Sequence, residues 1–162
     1  MRKLFASLLL LCGCVLVAWA QTRTYSDNAS NTFVFGLDSY FFGSAGSLDF
    51  TVAGSPVRVS LEGGDVTADG VVLESGNAQT VIGIHDFTGN HEPELMVARR
   101  YDATVSAAVY RLEDGRWQLI GQMVAADARE IRVFRQVVTI RSGDTLQTWT
   151  WHKTQFDYKS NK

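Results

Sequence analysis

The chain has 162 residues, 46% of them hydrophobic and 20% charged, with a formal net charge of −2. Its Lys and Arg are scattered, which excludes a nucleic-acid binder that tracks phosphates with a clustered basic surface. The composition is that of an ordinary globular domain.

Arg2 and Lys3 precede a run from Leu4 to Ala20 that is almost wholly apolar, and Ala18-Trp19-Ala20 places small residues where a signal peptidase reads them. This three-part pattern predicts a signal peptide over residues 1–20 and export to the periplasm or the extracellular space. Leu11-Cys12-Gly13-Cys14 also resembles the lipobox of bacterial lipoproteins, which implies a membrane anchor only if Cys14 is lipidated. The apolar stretch Val15 to Ala20 departs from the polar tether that such an anchor is usually followed by. Both cysteines lie in this leader, so the exported part has no thiol and must be held by its core rather than by disulfides. Cleavage removes two basic residues and makes the remainder more acidic.

Residues 21–31 are polar without an apolar period and read as a flexible lead-in; Asn28-Ala29-Ser30 fits a glycosylation triplet that matters only in a eukaryotic host. Residues 32–158 read as a single all-β domain, an antiparallel β-sandwich or partly open barrel of about eight to ten short strands after the signal peptide. Leu48, Phe50 and Val52 alternate, Ala53-Gly54-Ser55-Pro56 turns the chain, and Val57, Val59 and Leu61 alternate on the way back. Val71-Val72-Leu73 and Val81-Ile82-Gly83-Ile84 are continuous apolar runs, which predict strands covered on both faces. Asp114-Gly115 suits a two-residue turn, pairing Leu112 with Trp117 and Tyr110 with Leu119, and the shared face of Ala108, Tyr110, Leu112, Trp117 and Leu119 is expected in the core. Residues 124–130 alone have helical composition, enough for one or two turns. A last hairpin joins Val137–Arg141 to Leu146–Trp151 through Ser142-Gly143-Asp144, with a continuing strand through Thr154, Phe156 and Tyr158 and a frayed tail at 159–162.

The segment Asp86-Phe87-Thr88-Gly89-Asn90-His91-Glu92-Pro93-Glu94 concentrates the polar chemistry. Oxygen donors spaced two apart can converge on a hard cation, with Asp86, Thr88 and Asn90 at positions 1, 3 and 5, the Glu92 carbonyl at 7 and Glu94 at 9. The segment resembles the calcium loop of FG-GAP and VCBS-type β repeats. That resemblance implies a calcium held by Asp86, Asn90 and Glu94 and a role in adhesion or ligand binding. Thr88 and His91 depart from the family pattern, and a single copy of the motif does not build the family's propeller. The bland alternative is a strand-connecting turn closed by Asx-type hydrogen bonds. Asp65-Val66-Thr67-Ala68-Asp69-Gly70 is a second, weaker match that reads as a plain turn. His85, Asp86, His91, Glu92 and Glu94 could instead bind a transition metal, although neighbouring strand residues point to opposite faces.

Trp149 and Trp151, two apart on one strand, are either core or a platform for a sugar ring or a partner surface. No catalytic residue stands out: the mature chain lacks Gly-x-Ser-x-Gly, a cysteine nucleophile and a phosphate-cradling loop. The reading is an exported non-enzymatic binding or accessory module, with a protein or glycan of the cell envelope as partner and calcium as its one candidate cofactor. The alternatives are a secreted metal- or carboxylate-dependent hydrolase using Asp86, His91 or Glu94, and a partner-covering inhibitor or immunity-like protein.

Overall fold

Two-residue turns make eight of the eleven connections between consecutive strands from residue 46 onward. The computed structural model describes residues 34–43 and 45–161; the expected signal peptide and lead-in lie outside the described residues. In chain order the strands are β1 (Val34–Phe35), β2 (Ser39–Gly43), β3 (Gly46–Val52), β4 (Ser55–Glu62), β5 (Asp65–Ala68), β6 (Val71–Glu74) and β7 (Gln79–His85). They continue with β8 (Glu94–Tyr101), β9 (Thr104–Glu113), β10 (Arg116–Ala126), β11 (Ala128–Phe134), β12 (Val137–Ser142), β13 (Thr145–His152) and β14 (Gln155–Asn161). The all-β expectation holds, with more strands than the eight to ten expected, and the described residues contain no helix.

Three consecutive four-stranded meanders carry the fold: β3 to β6, β7 to β10 and β11 to β14. β2 extends the middle sheet antiparallel to β7, and β1 pairs with β11 in parallel. Among the described residues no sheet closes into a barrel. The sheets stack instead, with the β7–β10 sheet between the other two. One core joins Val81, Met96, Ala107, Val109 and Met123 of the middle sheet to Ile131, Val133, Val138 and Ile140 of the third. A second core joins Ile82, Leu95, Val97 and Ala108 to Val57, Val59, Leu61 and Val66 of the first. Adjacent residues on a strand point to opposite faces, so a sheet buried on both sides needs the unbroken apolar runs that β7 and β8 contain.

The Asp114-Gly115 turn has the expected positive φ values (50° and 71°), and its register pairs Glu113 with Arg116, Leu112 with Trp117 and Tyr110 with Leu119. Leu119 is nevertheless exposed, as is Val124, because β10 is the edge strand of the middle sheet; a bulge between Leu119 and Gly121 turns Ile120 toward the core shared with the third sheet. Gly121 has no Cβ to collide with the Phe156 ring, which lets β10 approach β14. Val71 and Val72 are also exposed: β6 is the short edge of an outer sheet, not a central strand. The expected helical turn at 124–130 is absent. Ala125 and Ala128 are core residues of β10 and β11, and Asp127 turns the chain between them at φ 50° while its N–H bonds to the Ala103 carbonyl. Lys153 turns the chain after β13, so Phe156 and Tyr158 belong to a new antiparallel strand that runs through residues 159–161.

Arg99 tethers the edge of the first sheet. Its buried guanidinium donates to the Gly64 and Gly76 carbonyls and lies 3.9 Å from Glu74, and the Tyr110 hydroxyl donates to the same Glu74 carboxylate at 2.5 Å. Burial, followed by the Glu74 contact, pushes the Tyr110 phenol well above its ordinary value.

Two-sided burial of β8 makes a direct prediction. Leu95→Ala and Met96→Ala, on opposite faces, each lower unfolding stability in urea by about 2–5 kcal/mol. A one-sided sheet would leave one of the pair nearly silent.

Candidate functional site

The β7–β8 connection carries the polar residues singled out in the sequence, and it works as a clasp across the ends of the three sheets. Asp86 accepts the N–H groups of Gly89 (2.7 Å) and Asn90 (3.1 Å) on one oxygen and that of His91 (3.0 Å) on the other. The Asn90 side-chain carbonyl accepts the Glu92 N–H at 2.9 Å. These are the Asx-type bonds of a self-closed turn, and they allow His91 a left-handed backbone at φ 68°. Glu92 reaches the first sheet, accepting the Ala53 N–H of the β3–β4 turn at 2.7 Å. His85 reaches the third, its Nε2 lying 2.8 Å from the Arg135 carbonyl of the β11–β12 turn. That carbonyl can only accept, so His85 Nε2 carries the proton.

Glu94, 1% exposed, lies beneath the clasp. It accepts the Phe87 N–H (2.8 Å), the Thr88 hydroxyl (2.8 Å) and the Arg111 Nε–H (3.3 Å). Desolvation pushes its carboxyl above the ordinary 4.5, against the lowering effect of those three donors. Arg111 continues outward, its guanidinium 5.3 Å from the centroid of the Trp151 ring.

Asp86, Thr88, Asn90, Glu92 and Glu94 are therefore neighbours in the chain with different partners. Asp86 and Asn90 cap the loop, Glu92 binds the first sheet, and Thr88 serves Glu94. Among the described residues no three His, Cys, Asp or Glu side chains are grouped to hold a metal ion. His85 and His91 do not share a centre with Glu94: His85 faces Arg135, and the chain turns at His91.

The two tryptophans part company. Trp149 packs against the core, its ring 4.6 Å from that of Tyr158, whereas Trp151 stands edge-on to Phe156 at 5.2 Å and lines an open cleft. The cleft, about 700 Å³, is also lined by Thr88 and Gly89 of the clasp and by Arg135, Gln136 and Lys153 at two neighbouring turns. Gly89 is required there, because a Cβ would crowd the Gln136 amide and φ is 74°. Sequence reasoning named Thr88 and Trp151 separately. It missed Arg135 and Lys153, which sit at turn positions with φ of 52° and 60°; the other left-handed non-Gly positions among the described residues hold Asp69, Asp102, Asp114, Asp127, Ala53 and His91. The second partial loop match is a strand, β5, ending in an Asp69-Gly70 turn whose carboxylate accepts the Arg58 N–H.

No family model, curated protein or solved structure matches the chain.

The raised Glu94 pKa fixes a sign. A carboxyl that holds its proton more tightly folded than unfolded favours the folded state at low pH, and that contribution is lost as pH rises from about 4.5 through the folded value. Glu94→Gln cannot titrate. Urea unfolding of both proteins should show the wild type losing stability relative to Glu94→Gln as pH rises above about 4.5; a difference that is flat or moves the other way contradicts the assignment.

Proposed function

We propose that the chain is an exported, non-enzymatic binding or accessory module whose ligand surface is the cleft between the clasp and the end of the third sheet. The observation that carries this reading is the use of the acidic residues. Asp86 and Glu94, the groups a hydrolase would need free, accept three donors each, whereas the exposed groups beside them are aromatic and basic. A general acid or base needs to reach a substrate proton, and here both carboxylates face inward to their own loop.

The clasp in this reading closes without calcium. N–H groups bonded to both Asp86 oxygens and the Arg111 guanidinium beside Glu94 give these carboxylates partners within the chain, so the loop needs no cation to close. The relation to FG-GAP and VCBS-type repeats is proposed at the level of architecture. Chain-order, four-stranded meanders stacked face to face are how propeller blades are built, and the loop with the family's spacing joins two strands of the middle one.

The test pairs binding with turnover. Cell-envelope polysaccharide added in excess raises the thermal midpoint by mass action, releases no new reducing ends, and loses its effect on Trp151→Ala. Release of reducing ends that Glu94→Gln abolishes would establish the hydrolase instead.

A further inference from the structure

We infer that the cleft takes a carboxylate-bearing glycan. The inference rests on the binding-module reading and adds the class of ligand. Charge is the first argument. In a chain of net charge −2, the cleft lining contains Arg135, His152 and Lys153 and no Asp or Glu. His152 has Asp157 3.6 Å away, which leaves the two permanent cations as the dominant charges facing the opening. Two like charges held on one concave surface attract an anion from solution and gain when it is bound.

The backbone is the second argument. Left-handed φ is easy for Gly and tolerated by Asn and Asp, yet the two turns that flank this cleft place Arg135 and Lys153 in it. Of the six other left-handed non-Gly positions among the described residues, four hold Asp and the remaining two are Ala53 and His91, so Arg135 and Lys153 are the two that carry a permanent cation. A long cationic side chain gains nothing from a left-handed turn that Asp or Asn would not supply more easily, which makes the two cations at the cleft a pointer to a ligand.

The third argument separates glycans from peptides. The cleft lies at turns, where strand edges are not presented, so an extended peptide has no ladder to join. A sugar does not need one. Its C–H faces stack on an aromatic ring, and its hydroxyls find Thr88 and the Gln136 amide beside Trp151. Phe134, 69% exposed under the Arg135 guanidinium at 5.3 Å, provides a second aromatic surface on the same rim. An Arg fork above a ring can bind the carboxylate of a uronic acid while the ring supports the sugar.

Calorimetric titration with oligogalacturonate, with its neutral methyl ester and with oligo-glutamate tests the proposal on the folded chain. The oligogalacturonate should bind, the methyl ester about tenfold or more weaker, and the oligo-glutamate weaker still. The double variant Arg135→Asn and Lys153→Asn, chosen because Asn keeps the left-handed turns, should lose about tenfold in affinity at an unchanged melting midpoint. Phe134→Ala should weaken binding without altering its salt dependence. Undiminished binding by the double variant, or no binding of the oligogalacturonate, overturns the proposal. Equal binding of the oligo-glutamate also overturns it and points to an acidic peptide. Equal binding of the methyl ester, lost in Phe134→Ala, removes the carboxylate from the account while leaving the glycan-binding module intact.

Discussion

A carboxylate with 1% of its surface exposed has to be met by donors, and at Glu94 those donors come from the loop above it and from the neighbouring strand. The Phe87 N–H and the Thr88 hydroxyl bring the chain down onto Glu94 just after β7, and Asp86 gathers the next three N–H groups into a closed turn. Once that turn is set, Glu92 and His85 point away from each other and reach the first and third sheets. Each bond is worth about 1 kcal/mol net, and leaving a buried acceptor unmet costs more. The loop therefore closes as a unit, and Arg111 carries its order outward to Trp151.

The same middle sheet imposes the stacking. β7, β8 and β9 have apolar residues on both faces, and neither face can be left to water. The chain covers them with its own flanking meanders, one before and one after in sequence. Those meanders carry ion pairs at their surfaces: Asp49 and Arg58 form an exposed pair on the first, and Glu130 lies between Arg132 and Arg141 on the third. Exposed pairs of this kind contribute solubility more than stability.

Strand positions and turns were legible because alternation and turn chemistry are local. The Asp114-Gly115 hairpin follows from its two turn residues, and two-sided burial of β7 follows from Val81 to Ile84. Val71-Val72-Leu73 shows the limit of the same argument: an apolar run reports hydrophobicity, and only the placement of β6 at an outer edge decides that water meets it. Residues 124–130 failed for a similar reason, since Ala serves a helix or a tightly packed strand equally and the Asp127 corner decides between them. In the site, spacing located the loop but not the destination of its oxygens, which depends on Ala53, Arg111 and Arg135, far away in sequence. Arg135 and Lys153 carried no motif; what distinguishes them is a permanent cation at a left-handed turn position, a place that Asp takes at four other turns.

Closure of the clasp by its own hydrogen bonds is the claim on which the site depends, and amide hydrogen exchange reads it directly. With excess calcium and with a chelator, the amides of Phe87, Gly89, Asn90 and His91 should be protected to the same degree, as groups bonded to Glu94 and Asp86 are expected to be. Protection that appears only with calcium would contradict the account and return Asp86, Asn90 and Glu94 to the role of metal ligands.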